Sequence, residues 1–352
     1  MFNQIVLLCR PGFEKECAGE IIEQANLNQF PAYVQTKDQS GVVRLISSSD
    51  STTKDLITRI DFRQLIFTRQ WFASSKNTLE LPETNRLTDI LATVESFEET
   101  FYEVELAYAD TNEGKSLNKF CKQFKPHLLT ALKKNRLLSA HASWRLHLFF
   151  TNSLHVNIGI SPVDNSATDA MGIIRLKMPG KAPSRSTLKM EEAIHWFFNI
   201  EQRAEFIKNG MTVVDLGAAP GGWTWQFVQR DCLVTAIDNG PMDDALMKTG
   251  MVEHIQTDAF TYAPAKKVDW LICDMAERPL HVSRLIARWF TEKKCSNAIF
   301  NLKLPMKKRL VNVHECIDLL DEKLTQANIK HSIDAKHLYH DREEITVCIL
   351  SS

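Results

Sequence analysis

The nine residues DLGAAPGGW at 215–223 follow the apolar run TVVDL and lead into a helical stretch, and a strand, glycine turn and helix in that order admits few folds. From there the chain alternates. A strand at 212–216, a helix at 222–230, strands at 233–238 and 268–274, a helix at 280–292, a strand at 297–302, a helix at 311–327 and closing strands near 329–334 and 345–350 are expected. Strands buried on both faces read as unbroken apolar runs, so this alternation predicts a doubly wound, Rossmann-like α/β domain. In such sheets ligands bind beyond the carboxyl ends of the strands. Asp215 to Gly222, Asp238, Asp274 and Lys303 each close a predicted strand and are expected to face one crevice.

The spacing within the turn says what that crevice is not built for. A dinucleotide site wants G-x-G-x-x-G, and here Gly217 is followed by Ala218-Ala219-Pro220-Gly221-Gly222, so the register fails. The turn instead lets backbone approach a ligand without phosphates, while Asp238 can accept hydrogen bonds from ribose hydroxyls. That combination suits S-adenosylmethionine. Asp258, after the short extended run 253–257, is placed near the adenine side. Asp274 is followed by Met275-Ala276, so the Pro-Pro-aromatic loop that holds an exocyclic amine is missing, and no Pro-Cys supplies a nucleophile for a pyrimidine ring. Both features argue against methylation of a base.

Ahead of this domain, residues 4–9, a helix from Phe13 to Ala25, extended runs 32–36 and 42–46, a helix near 52–60 and the apolar run Leu65 to Phe67 give the order β-α-β-β-α-β. A ferredoxin-like α+β unit over 1–70 is expected. Residues 71–165 start acidic and turn basic: Lys115, Lys119, Lys122, Lys125, Lys133, Lys134 and Arg136 follow one another without an acid, beside Phe120 and Phe124. Such a basic helical face suits RNA phosphates. A loop from Ser161 to Pro183 leads into the third region, 166–352, where Arg175, Lys177, Lys181, Arg185 and Lys189 again run without an acid. Ser186 or Thr187 should cap one helix whose apolar stripe runs from Ala193 to Ile207 and ends at Gly210.

Lys plus Arg number 42 against 43 Asp plus Glu, so any nucleic-acid surface must be a local patch. The eight cysteines contain no CxxC pair, and neither they nor the eleven histidines show zinc spacing; reduced thiols and no metal are expected. No run approaches the roughly 18 apolar residues of a membrane span, and the first apolar run is too short for a signal core, so a soluble, cytoplasmic monomer is expected.

DLGAAPGGW with an Asp after the second strand, CDM, NLKLP and HDREE resemble the FtsJ-type ribose 2'-O-methyltransferases. The longer strings PSRSTLK, DNGPM, FNLKLPMKKR and YHDREE resemble the bacterial ribosomal RNA large subunit methyltransferase M family, over nearly the whole chain. The resemblance implies S-adenosylmethionine-dependent 2'-O-methylation of a cytidine in the peptidyl-transferase region of 23S rRNA, as RNA or as a large-subunit assembly precursor; transfer RNA is the alternative substrate. It implies a THUMP RNA-binding domain over 71–165. It also implies a Lys-Asp-Lys-Glu tetrad, falling on Lys189, Asp274, Lys303 and, as the acid directly after Arg342, Glu343, with the adjacent Glu344 leaving the choice of acid open. Family cofactor positions fall on Ser186, Ala219, Pro220, Gly221, Gly222, Asp238 and Asp258, with Asp274 bordering the methyl site.

A ribose hydroxyl must lose its proton as it attacks the sulfonium methyl. Lys303 is expected to be the base if burial and the charge of Lys189 lower its pKa, with Asp274 opposing that shift but fixing the amine. Glu343 would orient Lys189 or a water.

Overall fold

A computed structural model describes residues 2–48 and 52–351, which fall into two compact units, Met1–Ile174 and Arg175–Ser352. The first unit begins β1 (Gln4–Leu8), α1 (Glu14–Leu27), β2 (Ala32–Thr36), β3 (Val42–Ser47), α2 (Thr53–Arg59) and β4 (Gln70–Ser74). These strands lie in the order β2-β3-β1-β4, all antiparallel, with Cys17 and Ile21 of α1 buried at the sheet. It is the ferredoxin-like arrangement.

Leu65 and Phe67 of the apolar run are buried, but the run is not the last strand, which comes at Gln70. Glu20 of α1 reaches across and its carboxylate accepts from the backbone amides of Ile66 (2.7 Å), Phe67 (3.0 Å) and Thr68 (2.8 Å). Those donors are therefore satisfied without a sheet partner.

The unit continues with β5 (Leu79–Glu80), α3 (Arg86–Glu95), β6 (Phe101–Ala107), α4 (Asn112–Lys115), α5 (Asn118–Lys134), β7 (Trp144–Asn152) and β8 (His155–Pro162). Beyond β4 the same sheet runs on through β8, β7 and β6. The chain then stays on this unit past Pro162. The Asn165 side chain donates to the carbonyls of Ile57 and Ile60 at 2.9 and 2.7 Å, Ala167 O accepts from Gln70 and Arg145, and Met171 N donates to the buried Glu105.

The second unit comprises α6 (Thr187–Phe197), α7 (Ile200–Phe206), β9 (Thr212–Leu216), α8 (Gly222–Val228), β10 (Leu233–Ile237), α9 (Asp244–Met247), β11 (Val252–Ile255), β12 (Val268–Cys273), α10 (Pro279–Thr291), β13 (Cys295–Lys303), α11 (Arg309–Gln326), β14 (His331–Lys336) and β15 (Glu344–Ser351). The sheet order is β11-β10-β9-β12-β13-β15-β14, parallel through β13 and antiparallel at β15 and β14. It is the doubly wound sheet the alternation predicted. The strand order reverses between β9 and β12, which sets the crevice at their carboxyl ends.

The single helix expected from Ala193 to Ile207 is two helices. Asn199 caps α7 by accepting from Gln202 N at 2.8 Å while the Gln202 side chain accepts from Asn199 N at 3.0 Å. This reciprocal pair starts a new helix and breaks the old one. Behind the crevice, Trp270, Phe227, Phe198 and Ile299 form the centre of a core that fixes the strand ends.

Candidate active site

The turn after β9 is shaped by its glycines. Gly217 has φ +77° and Gly221 φ +111°, a region that side-chain-bearing residues rarely adopt. Gly222 opens α8, and a Cβ there would overlap the hydroxyls of Ser184 and Ser186, which stand 2.7 Å apart. The glycine thus lets the segment that leads into α6 close on the turn, bringing Ser186 beside Gly222. Pro220 follows a cis bond from Ala219. Asp238, one residue past β10, braces the loop: its carboxylate accepts from Ala219 N at 3.0 Å and Gly240 N at 2.7 Å. Asp258 takes no part in this group. It is exposed and folds its carboxylate onto Phe260 N at 2.9 Å.

Three acids surround the turn. Asp215 is buried at the end of β9, accepts from Thr224 Oγ1 at 2.6 Å, and is pushed up to about 7 first by burial and then by the charges of Asp274 and Asp238. The close backbone approach that Gly221 and Gly222 allow, with the Asp238 carboxylate beside the turn as an acceptor for ribose hydroxyls, fits S-adenosylmethionine.

Beside it stands a ring of two lysines and two acids. Lys189 comes from the first turn of α6, Asp274 from the residue after β12, Lys303 from the last residue of β13 and Glu344 from the first of β15. Lys189 Nζ donates to Asp274 at 3.1 Å and Lys303 Nζ donates to Asp274 at 3.1 Å; each lysine also pairs with a separate oxygen of Glu344. Lys303 is the more exposed lysine, at 31% against 16%.

Two expectations change here. Glu343, expected in the tetrad, is 63% exposed and pairs with Arg309. Alternation along β15 is the cause. Lys303 is directly opposite Glu344, and the strand period of two turns the preceding residue away. The second concerns charge. Burial lowers the Lys303 pKa as expected, but Asp274 and Glu344 together outweigh it, and the amine is held above its ordinary value.

The ring has partners that sequence reasoning missed. Asn301, opposite Thr346 in the β13–β15 register, donates to Asp274 Oδ1 at 3.0 Å. Glu192, on α6, accepts from Tyr339 N, His340 N and His340 Nδ1. The i, i+2 spacing of Asn301 with Lys303 and of Glu344 with Thr346 was the available signal, but it requires the strand pairing to be known.

In the first unit, α5 presents Lys119, Lys122, Lys125, Lys133 and Lys134 as exposed side chains, followed by exposed Arg136. Lys115 is not on that face; it ends the separate α4 and pairs with Asp110 at 3.1 Å. Phe120 and Phe124 stack on each other and meet Phe150 edge-on. Among the described residues, no helix is long and apolar enough to cross a membrane and no His, Cys, Asp and Glu group could hold a metal.

Three family models match the chain: the RlmM ferredoxin-like domain over residues 2–72, the N-terminal model of ribosomal RNA large subunit methyltransferase M over 85–162, and the FtsJ-like methyltransferase over 182–332. Proteins named ribosomal RNA large subunit methyltransferase M from Cellvibrio japonicus and Proteus mirabilis are each 44% identical. The first match spans 98% of this chain and 98% of the relative, the second 99% and 96%. Among solved structures, Aeropyrum pernix fibrillarin with natively bound S-adenosyl-L-methionine is similar over 58% of this chain and 81% of its own, at 14% identity and a TM-score of 0.33.

Proposed function

The chain belongs to the ribosomal RNA large subunit methyltransferase M family and is a methyltransferase that uses S-adenosylmethionine, and from that premise we propose that it methylates the ribose 2'-hydroxyl of a cytidine in 23S rRNA. The observation that carries this reading is the ring of Lys189, Asp274, Lys303 and Glu344 beside the glycine turn. A lysine amine aimed by two carboxylates at the mouth of a crevice can take the proton of a sugar hydroxyl once it is neutral. It offers no recognition of a base.

Gly217, Ala219, Pro220, Gly221, Gly222, Ser186 and Asp238 would hold S-adenosylmethionine, which supplies the methyl group, a thioether leaving group and a positive charge. Asp258 lies further along the same edge of the sheet, after β11. Lys303 carries its proton in the resting enzyme, given the direction of its shift. Added positive charge in the crevice works against that proton. Once that proton has passed to solvent, the neutral Lys303 accepts the hydroxyl proton as the oxygen attacks, while Asp274 and Glu344 keep its amine aimed.

The exposed lysines of α5 support reading residues 71–165 as a THUMP-type RNA-binding region. They would grip phosphates and set register rather than read sequence. The reading places the enzyme in the cytoplasm, as a monomer acting on 23S rRNA or a large-subunit precursor.

The test is methyl transfer from labelled S-adenosylmethionine to 23S rRNA lacking its native modifications, with transfer RNA and Lys303→Ala protein as controls. Label in a 2'-O-methylcytidine of 23S rRNA, lost with Lys303→Ala, is the expected result. Label in a base, or only in transfer RNA, would overturn it.

A further inference from the structure

The ring rests on a buried column of polar groups whose proton directions can be deduced. Asp274 takes lysine donors on both oxygens, so toward Asn301 it is an acceptor, and the Asn301 amide must present Nδ2 to it. The other end of that amide, Oδ1, then faces Thr346 Oγ1 at 2.8 Å and must receive a proton from it. Thr346 has one proton, now committed. Its remaining neighbours are the oxygens of Asp341, at 3.0 and 3.2 Å. Two acceptors at that distance would repel, so the proton between Thr346 and Asp341 must belong to Asp341. Its Oδ2 meanwhile accepts from Leu338 N at 3.0 Å.

We propose that Asp341 is a protonated, donating acid that sets the direction of a relay through Thr346 and Asn301 to Asp274, and so positions the carboxylate that holds both lysines. This rests on the reading of the ring given above. Asp341 is a positioning residue, since it acts through others.

The surroundings agree. Asp341, Thr346 and Asn301 are each fully buried. Asp341 faces the acids Glu344 of β15 and Glu192 of α6, with Lys189 the opposing cation, and burial together with those two acids raises its pKa well above the carboxylate range. Glu192 pins residues 339 and 340 to the helix that carries Lys189, which holds the loop and Asp341 in register with the ring.

The relay predicts an order among variants. Asp341→Leu removes the donor and should lower kcat about tenfold, the effect of one lost buried hydrogen bond, with affinity for S-adenosylmethionine unchanged. Asp341→Asn still donates to Thr346 and accepts from Leu338 N, and should recover most of that loss. Its pH–rate profile should overlie that of the wild type, because a neutral group replaces a neutral group. Thr346→Val, which keeps the side-chain shape but cuts the relay, should match Asp341→Leu.

The independent readout is infrared difference spectroscopy of aspartate-labelled full-length protein, wild type against Asp341→Asn, near neutral pH. A protonated carboxyl band assigned to Asp341 is expected. An ionised Asp341 band, a displaced pH profile in Asp341→Asn, or full activity in Thr346→Val would each overturn the proposal. If the wild type methylates no RNA, the reading of the ring fails, while the infrared band still decides the state of Asp341.

Discussion

Replacing Glu344 and Glu343 one at a time by glutamine separates two adjacent acids that the structure places in opposite environments. Glu344 has a 5% exposed side chain and meets both Lys189 and Lys303. Glutamine there leaves two clustered ammonium groups against Asp274 alone. Two unit charges at about 4 Å interact by roughly 4 kcal/mol at an effective dielectric of 20, a ceiling that the partial exposure of Lys303 reduces. Breaking a buried pair costs about 3–5 kcal/mol, so a net loss of roughly 3 kcal/mol follows. For a domain of this size that is a fall in Tm of roughly 6–12 °C. Lys303 also loses one of the two acids that raise its pKa, so the pH–rate profile moves toward lower pH. Because the amine is no longer aimed, kcat drops by about 100-fold. Glu343, 63% exposed and paired with Arg309, loses less than about 1 kcal/mol and leaves the profile in place. Thermal melts and single-turnover methyl transfer across pH measure both. A larger loss of kcat in Glu343→Gln than in Glu344→Gln would refute the assignment of the fourth ring member from strand register.

Asp215, raised from 3.8 to about 7, favours the folded state below pH 4 and loses that contribution as pH rises through 7; Asp215→Asn keeps an acceptor for Thr224 and should add up to roughly 4 kcal/mol of stability at pH 8, with no gain at pH 4. Thermal melts at the two pH values check it. Gly172, at φ +63° with its Cβ position overlapping Arg69 O, should lose more than about 2 kcal/mol on mutation to Ala, read by denaturant unfolding of the full chain. Lys122, Lys125 and Lys133 together changed to Ala should weaken RNA binding and flatten the slope of log affinity against log salt by roughly 0.7–0.9 for each phosphate no longer neutralised; an unchanged slope would exclude α5 from the RNA surface.

What could be read from the sequence was set by local chemistry. The parallel strands around TVVDL and VDWLIC are buried on both faces, so their apolar runs announce themselves, and the glycines at 217 and 221 mark a positive-φ backbone that favours glycine. The break between α6 and α7 was also legible: Asn199 and Gln202 form a capping pair, a local signal that the continuing apolar stripe concealed. Leu65 to Phe67 shows the opposite limit. An apolar run predicts burial, but the partner of its amides was Glu20, 46 residues before Ile66, and nothing local says that a carboxylate rather than a strand will accept them.

The ring itself depends on pairing. Lys303 and Asp274 end apolar runs and could be found by position, whereas the fourth member turns on whether Glu343 or Glu344 sits opposite Lys303, a one-residue matter that flips the side chain to the other face. The same register decides the charge of the proposed base. Burial, the influence visible as a general expectation, lowers its pKa; Asp274 and Glu344 together outweigh it, and Glu344 enters only when β15 pairs antiparallel with β13. Motif residues can therefore identify a site while leaving its protonation undetermined, because a pKa sums over neighbours that the fold, not the motif, selects. By that logic the next determinants of Lys303 lie beneath it in the same register, at Asn301 and Thr346, where one misplaced proton would turn Asp274.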